Sequence, residues 1–183
     1  SDFDPQADSV PVEDLLPLHR WALHELAVLA EAVTAAYERY EFHRVYQLLN
    51  RFYTVTLSAR YHDFLKDRLY TTRKDGHPRR SAQTVIYHQV HTLSRLLAPV
   101  LVHTCEEAWS NGLSRENSAV DSIHLQDWPV IPAEWKAAEL ADEIAHLMEL
   151  RDRVNEHLET LRGEKKIGKS LEAALSVDVP KDH

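Results

Sequence analysis

Residues Tyr40 to Ser81 read YEFHRVYQLLNRFYTVTLSARYHDFLKDRLYTTRKDGHPRRS. Leu48, Phe52, Val55 and Ala59 recur at helical steps, and Phe64, Leu65 and Leu69 continue the stripe, so the spacing predicts a second helix over about 41–70. Thr54 to Leu57 is β-prone, which predicts a kink inside it. Asp75-Gly76 is the stop signal of a turn over 74–78. The stretch is also where positive charge collects. From Arg39 to Arg80 there are ten Lys or Arg against four Asp or Glu, a net of +6, in a chain of net charge −8. Such a chain is unsuited to coating nucleic acid generally and is limited to a local contact.

Working outward, Ala22, Leu26, Leu29, Val33, Ala36 and Tyr40 lie on one helical face of a first long helix, with Pro17 separating it from a short turn before it. Residues 1–11 carry no period and read as an extended lead-in. Pro78 opens a third helix whose face is Ala82, Ile86, Val90, Leu93, Leu97 and Val100, and Pro99 divides it, giving helices over about 79–97 and 99–111. Residues 113–132, with Pro129 and Pro132, form a long irregular connection. A final long helix is expected over about 134–162, with Leu140, Ile144, Leu147, Val154, Leu158 and Leu161 inward. Ser170 would cap a short tail helix over 171–175. The expected fold is all-α, an antiparallel helix bundle, organised as a lead-in (1–11), a bundle (12–162) and a tail (163–183).

The 183 residues are 44% hydrophobic and 27% charged, the balance of a chain that buries a core. One cysteine, Cys105, excludes an internal disulfide and fits a reducing compartment. It sits among apolar residues with no activating neighbour, so a buried structural thiol is expected. The longest apolar run, Leu96 to Val102, is far too short to span a membrane. The acidic start SDFDPQADSV is unlike a signal or transit peptide, and a cytoplasmic location is expected.

GEKKIGKS (163–170) fits the pattern of a phosphate-binding loop, but that loop needs a buried strand before it, and here a charged helix precedes. A helix-terminating glycine followed by a solvated basic turn is the expected reading. His88-x-x-His91 and Glu143-x-x-His146 lack the further ligands a metal site needs. No nucleophile motif is present, and no catalytic residue is assigned.

Lys66, Arg68, Arg73, Lys74, Arg79 and Arg80 bracket one helix–helix turn and therefore share one end of the bundle, with Tyr70 among them. Arg forks and Lys points suit phosphate oxygens, and aromatic faces suit unstacked bases. The alternative is a structural salt-bridge lattice built with Asp63 and Asp67.

At these residues the chain resembles the anticodon-binding helical domain of isoleucyl-tRNA synthetases, which are class I synthetases. The resemblance rests on RWAL (20–23), YEFHRVYQLLNRF (40–52), TLSARYHDFLKDRLY (56–70), RRSAQTVIY (79–87), LLAPVLVHTCEEAW (96–109), SIHLQDWP (122–129) and EKKIGKSLEA (164–173), in that order. It implies an anticodon-binding bundle of the class I synthetase type. It implies binding to isoleucine transfer RNA through Lys66, Arg68, Arg73, Arg79 and Arg80, with Tyr70 stacking on a base and Arg20 at the same end. Trp21 is expected in the core, Trp109 and Trp128 as core and strap contacts. The parent enzyme activates isoleucine with ATP and magnesium and esterifies it to tRNA. Its HIGH-like and KMSKS-like motifs, its opening F-N-T-x-R-N-like helix and the cysteine-rich zinc module of many members are not in these residues. The piece is therefore expected to use no cofactor of its own, and the missing first helix to leave an apolar groove open to self-association. His62, His88 and His103 depart from the residues the resemblance leads one to expect. The competing expectation is a non-catalytic helical protein–protein interaction module.

Overall fold

The computed structural model describes residues 2–113, 122–169 and 172–176. The described residues form helices and connecting loops, with no strand among them. The chain divides into two compact units, Ser1–Ala141 and Asp142–His183; the division falls inside the last long helix.

In the first unit, helix α2 (Pro17–Glu38) is the central element. Pro17 suits the first turn, where its missing N–H has no partner to lose, and the expected face is buried: Ala22, Leu26, Leu29, Val33 and Ala36, joined by Trp21 and Leu23. Leu23, Leu26 and Val33 are fully enclosed, each contributing about 1.5–3 kcal/mol. Tyr40, the last residue of the predicted face, is instead exposed. The Glu41 N–H reaches back to the Ala36 carbonyl and the Tyr40 N–H to that of Tyr37, both at 2.9 Å. These two bonds close a Schellman motif, with Tyr40 left-handed at φ 57°.

The chain returns as α3 (Phe42–Arg51), a widely wound π segment (Phe52–His62) and α4 (Asp63–Thr71). The continuous helix expected over 41–70 is therefore three stretches, and the anticipated kink at Thr54–Leu57 is a change of winding. The buried residues are Val45, Leu49, Phe52, Leu57, Tyr61 and Leu65. The step of five from Phe52 to Leu57 is that of an i→i+5 helix. It turns Val55 and Ala59, both expected inside, out to solvent.

Helix α5 (His77–Leu97) runs back alongside α2, with Gly76 as its N-cap residue. Near the ends of both helices the Tyr37 hydroxyl donates to the Leu96 carbonyl at 3.0 Å. The topology is thus up–down–up. The buried face of α5 is Ser81, Ala82, Thr84, Val85, Gln89, Thr92, Leu93 and Leu96. Four of these are polar, which is why the sequence pattern pointed to Ile86 and Val90; Val90 is exposed.

The lead-in differs from the extended segment expected. Pro5–Asp8 is a single helical turn, α1, capped by Asp4, whose carboxylate accepts from the Gln6 N–H at 3.0 Å. A 3-10 turn, Val12–Asp14, follows. The Val10 N–H donates to the Thr84 hydroxyl at 3.0 Å, tying this segment to α5.

After α5 come α6 (Val102–Ala108) and a π turn (Trp109–Leu113). Ala98, Cys105, Trp109 and Ile123 form a small second core, with Leu97 against it. Burial pushes the Cys105 thiol up in pKa, as a structural thiol requires. Glu106 hangs the following strap from α6: its Oε2 accepts from the Ser122 hydroxyl at 2.8 Å and the Ile123 N–H at 3.1 Å. The strap then crosses α2, where Trp128 Nε1 donates to the Thr34 hydroxyl at 2.8 Å. It continues to Trp135, whose ring lies 5.0 Å from that of His88. The described part of the 113–132 connection is irregular apart from a 3-10 turn at Ile123–Leu125.

Helix α7 (Ala138–Gly163) starts later than expected, a 3-10 turn at Ala133–Trp135 preceding it. Ile144, Met148 and Leu158 are its buried residues, while Leu147, expected inside, is exposed. The turn after α7 answers the GEKKIGKS reading. The helix terminator is not a glycine: Lys165 takes the left-handed position at φ 57°, and the Lys166 N–H bonds the Leu161 carbonyl at 2.9 Å. The Gly168 N–H donates to the Glu172 carboxylate at 2.7 Å, so a donor that would cradle phosphate already holds an anion. Of the tail helix expected over 171–175, residues 172–175 are described and do not form one: 173–175 are irregular, while Ser170, its expected cap, lies outside the described residues. Because a left-handed L-residue costs about 1–2 kcal/mol, Lys165→Gly is expected to stabilise α7 by about 1 kcal/mol. Urea denaturation of the two proteins checks it; an unchanged midpoint counts against the motif.

Candidate nucleic-acid interface

Three elements converge where α4 ends, α5 begins and α2 begins. Arg79 Nη1 donates to the Leu69 carbonyl, joining the end of α4 to the start of α5. Arg68 Nη1 lies 3.2 Å from His19 Nε2, joining α4 to α2. Lys66, Arg68, Tyr70, Arg73, Lys74, Arg79 and Arg80 lie on the end of α4, the turn and the start of α5, and Arg20 lies beside His19 in the sequence at the start of α2.

Arg39 and Arg44, in the same basic stretch, lie elsewhere. They flank the α2–α3 corner at the opposite tip, where both pair with Glu41, at 3.2 and 3.6 Å. A net charge taken along the sequence thus overstates the charge at either end.

Within the first tip the cations separate by partner. Lys66 pairs with Asp63 at 3.1 Å and Arg73 with Asp75 at 3.1 Å. Both pairs are solvated, the Arg73 side chain being 84% exposed, so each is weak. Arg79 and Arg80 are different, at 18% and 16% side-chain exposure. The Asp2 carboxylate accepts from Arg79 Nη2 at 3.2 Å, and Asp8 lies 3.2 Å from Arg80 Nη2. Arg80 Nη1 also donates to the Asp2 carbonyl at 2.8 Å and to Gln83 Oε1 at 2.9 Å. The Arg79 hydrogen bond holds the Asp2 carboxyl below its usual range. These two arginines, read from the sequence as phosphate ligands, are occupied in clasping the lead-in.

Arg20, Arg68 and Lys74 have no carboxylate partner among the described residues. Arg68 and Arg20 are half-buried and Lys74 is exposed. Tyr70 is 85% exposed, and its ring contacts no other ring among the described residues. The same tip thus carries three cations without carboxylate partners and one bare aromatic ring, residue types that suit phosphate and an unstacked base. Trp21 is buried, as expected of a core residue.

Reading the sequence missed the acids of the lead-in and the buried pair His19 and Tyr61. His19 is fully buried on α2, with Nδ1 2.8 Å from the Tyr61 hydroxyl. Burial, with the nearby Arg68 and His77, lowers its pKa to about 4. Its signal was a titratable residue on the apolar stripe, one turn after Leu15 and seven residues before Leu26.

Residues 19–179 match the family model described as the anticodon-binding domain of tRNA ligase. The chain belongs to that family. Its relatives include the isoleucine–tRNA ligase of Geobacter sulfurreducens, 46% identical over 177 residues, which is 97% of this chain and 19% of the relative. The isoleucine–tRNA ligase of Moorella thermoacetica is 44% identical over 175 residues, 96% of this chain and 19% of the relative. That of Prochlorococcus marinus is 41% identical over 181 residues, 97% of this chain and 18% of the relative. The chain thus spans about a fifth of the length of these relatives. As an anticodon-binding domain it is all-α among the described residues, and no helix among them is long and apolar enough to cross a membrane.

Proposed function

We propose that this chain recognises the anticodon arm of a transfer RNA, as one part of an ATP-dependent isoleucine–tRNA ligase that works in the cytoplasm. The observation that carries this reading is the tip itself, which holds Arg20, Arg68 and Lys74 without carboxylate partners and the exposed ring of Tyr70. Lys66 and Arg73 join them when RNA phosphate displaces their solvated carboxylates. Arg79 and Arg80 act indirectly, by fixing the lead-in and the start of α5. The catalytic steps, with their ATP and magnesium, fall to the remainder of the ligase. The turn after α7 is not a place for ATP, because no strand precedes it and the Gly168 N–H is taken.

Binding of an isoleucine-acceptor anticodon stem-loop, followed by fluorescence anisotropy, tests the reading. Three to five phosphate contacts give a slope of about −2 to −4.5 in log K against log salt. Lys74→Ala is expected to make that slope shallower by about one, and Tyr70→Ala to weaken binding by about 1–3 kcal/mol without changing it. Binding that ignores salt, or that is equal for an unrelated hairpin, overturns the proposal.

A second reading has its own observation. Between the π segment and α5 lies a cavity of about 200 Å³, lined by Tyr53, Leu57, Ile86, Gln89, Val90 and Leu93. The buried Gln89 Nε2 has no hydrogen-bond partner there. Such an apolar groove suits an apolar helix, including one from a second copy of this chain. Concentration-dependent sedimentation that is insensitive to salt supports self-association; a monomer at all concentrations removes it.

A further inference from the structure

We infer that His19 and Tyr61 are positioning residues for the RNA contact: a neutral imidazole holds the Arg68 guanidinium at the tip without cancelling its charge, leaving Arg68 to bind a phosphodiester oxygen. The inference rests on the RNA-binding reading above.

The protonation state follows from the donor inventory. A guanidinium nitrogen can only donate, so His19 Nε2, 3.2 Å from Arg68 Nη1, must accept. The imidazole then carries its one proton on Nδ1, which donates to the Tyr61 oxygen 2.8 Å away. Both ring nitrogens are satisfied only when the ring is neutral. The Tyr61 ring stands edge-on to the imidazole, their centroids 5.8 Å apart, and both residues are fully buried. The titratable and charged groups facing His19 are Tyr61 from the π segment, Arg68 from α4 and His77 from the start of α5. Arg68 and His77 oppose a second proton on the ring, as does its burial.

The contrast with the neighbouring cations gives the arrangement its meaning. Lys66, Arg73, Arg79 and Arg80 each lie within 3.2 Å of a carboxylate; the compensation is strong at the half-buried Arg79 and Arg80 and weak at the solvated Lys66 and Arg73. Arg68 lies at the same distance from a neutral acceptor. One of its five N–H groups is used to fix its direction, and no other described residue accepts from the rest. Its own backbone carbonyl accepts from the Thr72 hydroxyl, which closes the last turn of α4 beneath it. A cation fixed before the ligand arrives loses less rotamer freedom on binding than a free surface lysine. A carboxylate in place of His19 would hold Arg68 equally well and also cancel its charge.

The test uses the whole 183-residue chain and an anticodon stem-loop RNA, with anisotropy measured from 50 to 200 mM salt and a melting curve for each variant. His19→Asp places a carboxylate on Arg68. Its affinity is expected to fall about tenfold, with a salt slope shallower by about 0.7–0.9, the share of one phosphate. His19→Gln can accept from Arg68 and donate to Tyr61 without charge, and is expected to stay within about twofold of the parent at an unchanged slope. Arg68→Gln is expected to remove the same share of the slope as His19→Asp. It serves as the deciding variant if the aspartate protein does not fold. A purely structural role would lower the melting temperature in these variants and leave the slope alone. An unchanged slope in His19→Asp or Arg68→Gln overturns the inference, as does a loss in His19→Gln equal to that in His19→Asp. If the parent chain itself binds without salt dependence, it is the RNA-binding reading that fails.

Discussion

Truncation of Trp109 to alanine is expected to cost the fold about 3–5 kcal/mol, a fall of roughly 10 °C in melting temperature for a chain of this size. The indole is 1% exposed and forms the centre of the second core with Ala98, Cys105 and Ile123. The His91 ring meets it edge-on at 5.9 Å. Those neighbours are too small or too constrained to fill the space it leaves. Ala98 sits at the end of α5, and Ile123 is held by its own N–H on the Glu106 carboxylate. The strap is therefore tied by its backbone and cannot settle into the cavity. Trp128 supplies the comparison. It is 37% exposed and holds α2 through one hydrogen bond to Thr34 and an edge-on contact with the Tyr37 ring at 5.5 Å, so Trp128→Ala should cost only about 2 kcal/mol. Melting both variants side by side checks the assignment; similar losses for the two would show that Trp109 does not organise a core.

Stability is also expected to fall steeply on the acid side of neutrality, and His19 to account for much of it. Its pKa is about 4 in the fold against 6.5 for an unperturbed imidazole, through burial first and then Arg68 and His77. A depressed pKa means that the fold prefers the uncharged ring. The stabilisation is complete above pH 6.5, declines as the unfolded chain takes up a proton that the folded chain refuses, and is spent once pH passes below about 4. At 1.36 kcal/mol per unit, His19 alone is worth about 3 kcal/mol over that window. His91 is also lowered to about 4, chiefly by burial, and burial lowers His88 as well. These two add to the slope in the same direction. Melting temperatures at pH 7.5, 6.0, 5.0 and 4.5 should trace this loss. His19→Gln, which has no proton to gain, should lie closer to the parent at pH 4.5 than at pH 7.5. Parallel curves for the two proteins would mean that His19 does not titrate as described.

The helices were legible in the sequence where the apolar step stayed near 3.6, and illegible where the winding changed. Along α2 every expected face residue from Ala22 to Ala36 is buried. The face fails only at Tyr40, where the Schellman bonds have already ended the helix. Between Phe52 and Tyr61 the fixed step chose Val55 and Ala59, whereas the wider winding buries Leu57 and Tyr61. In α5 the inward face is written partly in Ser, Thr and Gln, so an apolar pattern pointed to its flank. The tip was legible because a turn of known place gathers whatever its two helices carry there. The partners were not. Asp2 and Arg79 are 77 positions apart, and no local rule relates them. Nor could periodicity show that one arginine of the group is held by a ring on another helix.

The wide winding between Phe52 and His62 carries a consequence of another kind. A turn of that sort holds more residues than an α-helical turn, so this stretch has slack in its length. A residue lost there would tighten the coil toward the ordinary helix and leave the flanking faces, Val45 and Leu49 before it and Leu65 after it, directed as they are now. The same loss in α2 would swing every later side chain by about 100° and turn the inward stripe toward water. Variation in chain length along this helical column is therefore best tolerated midway between its two tips, far from Tyr70 and the cations around it.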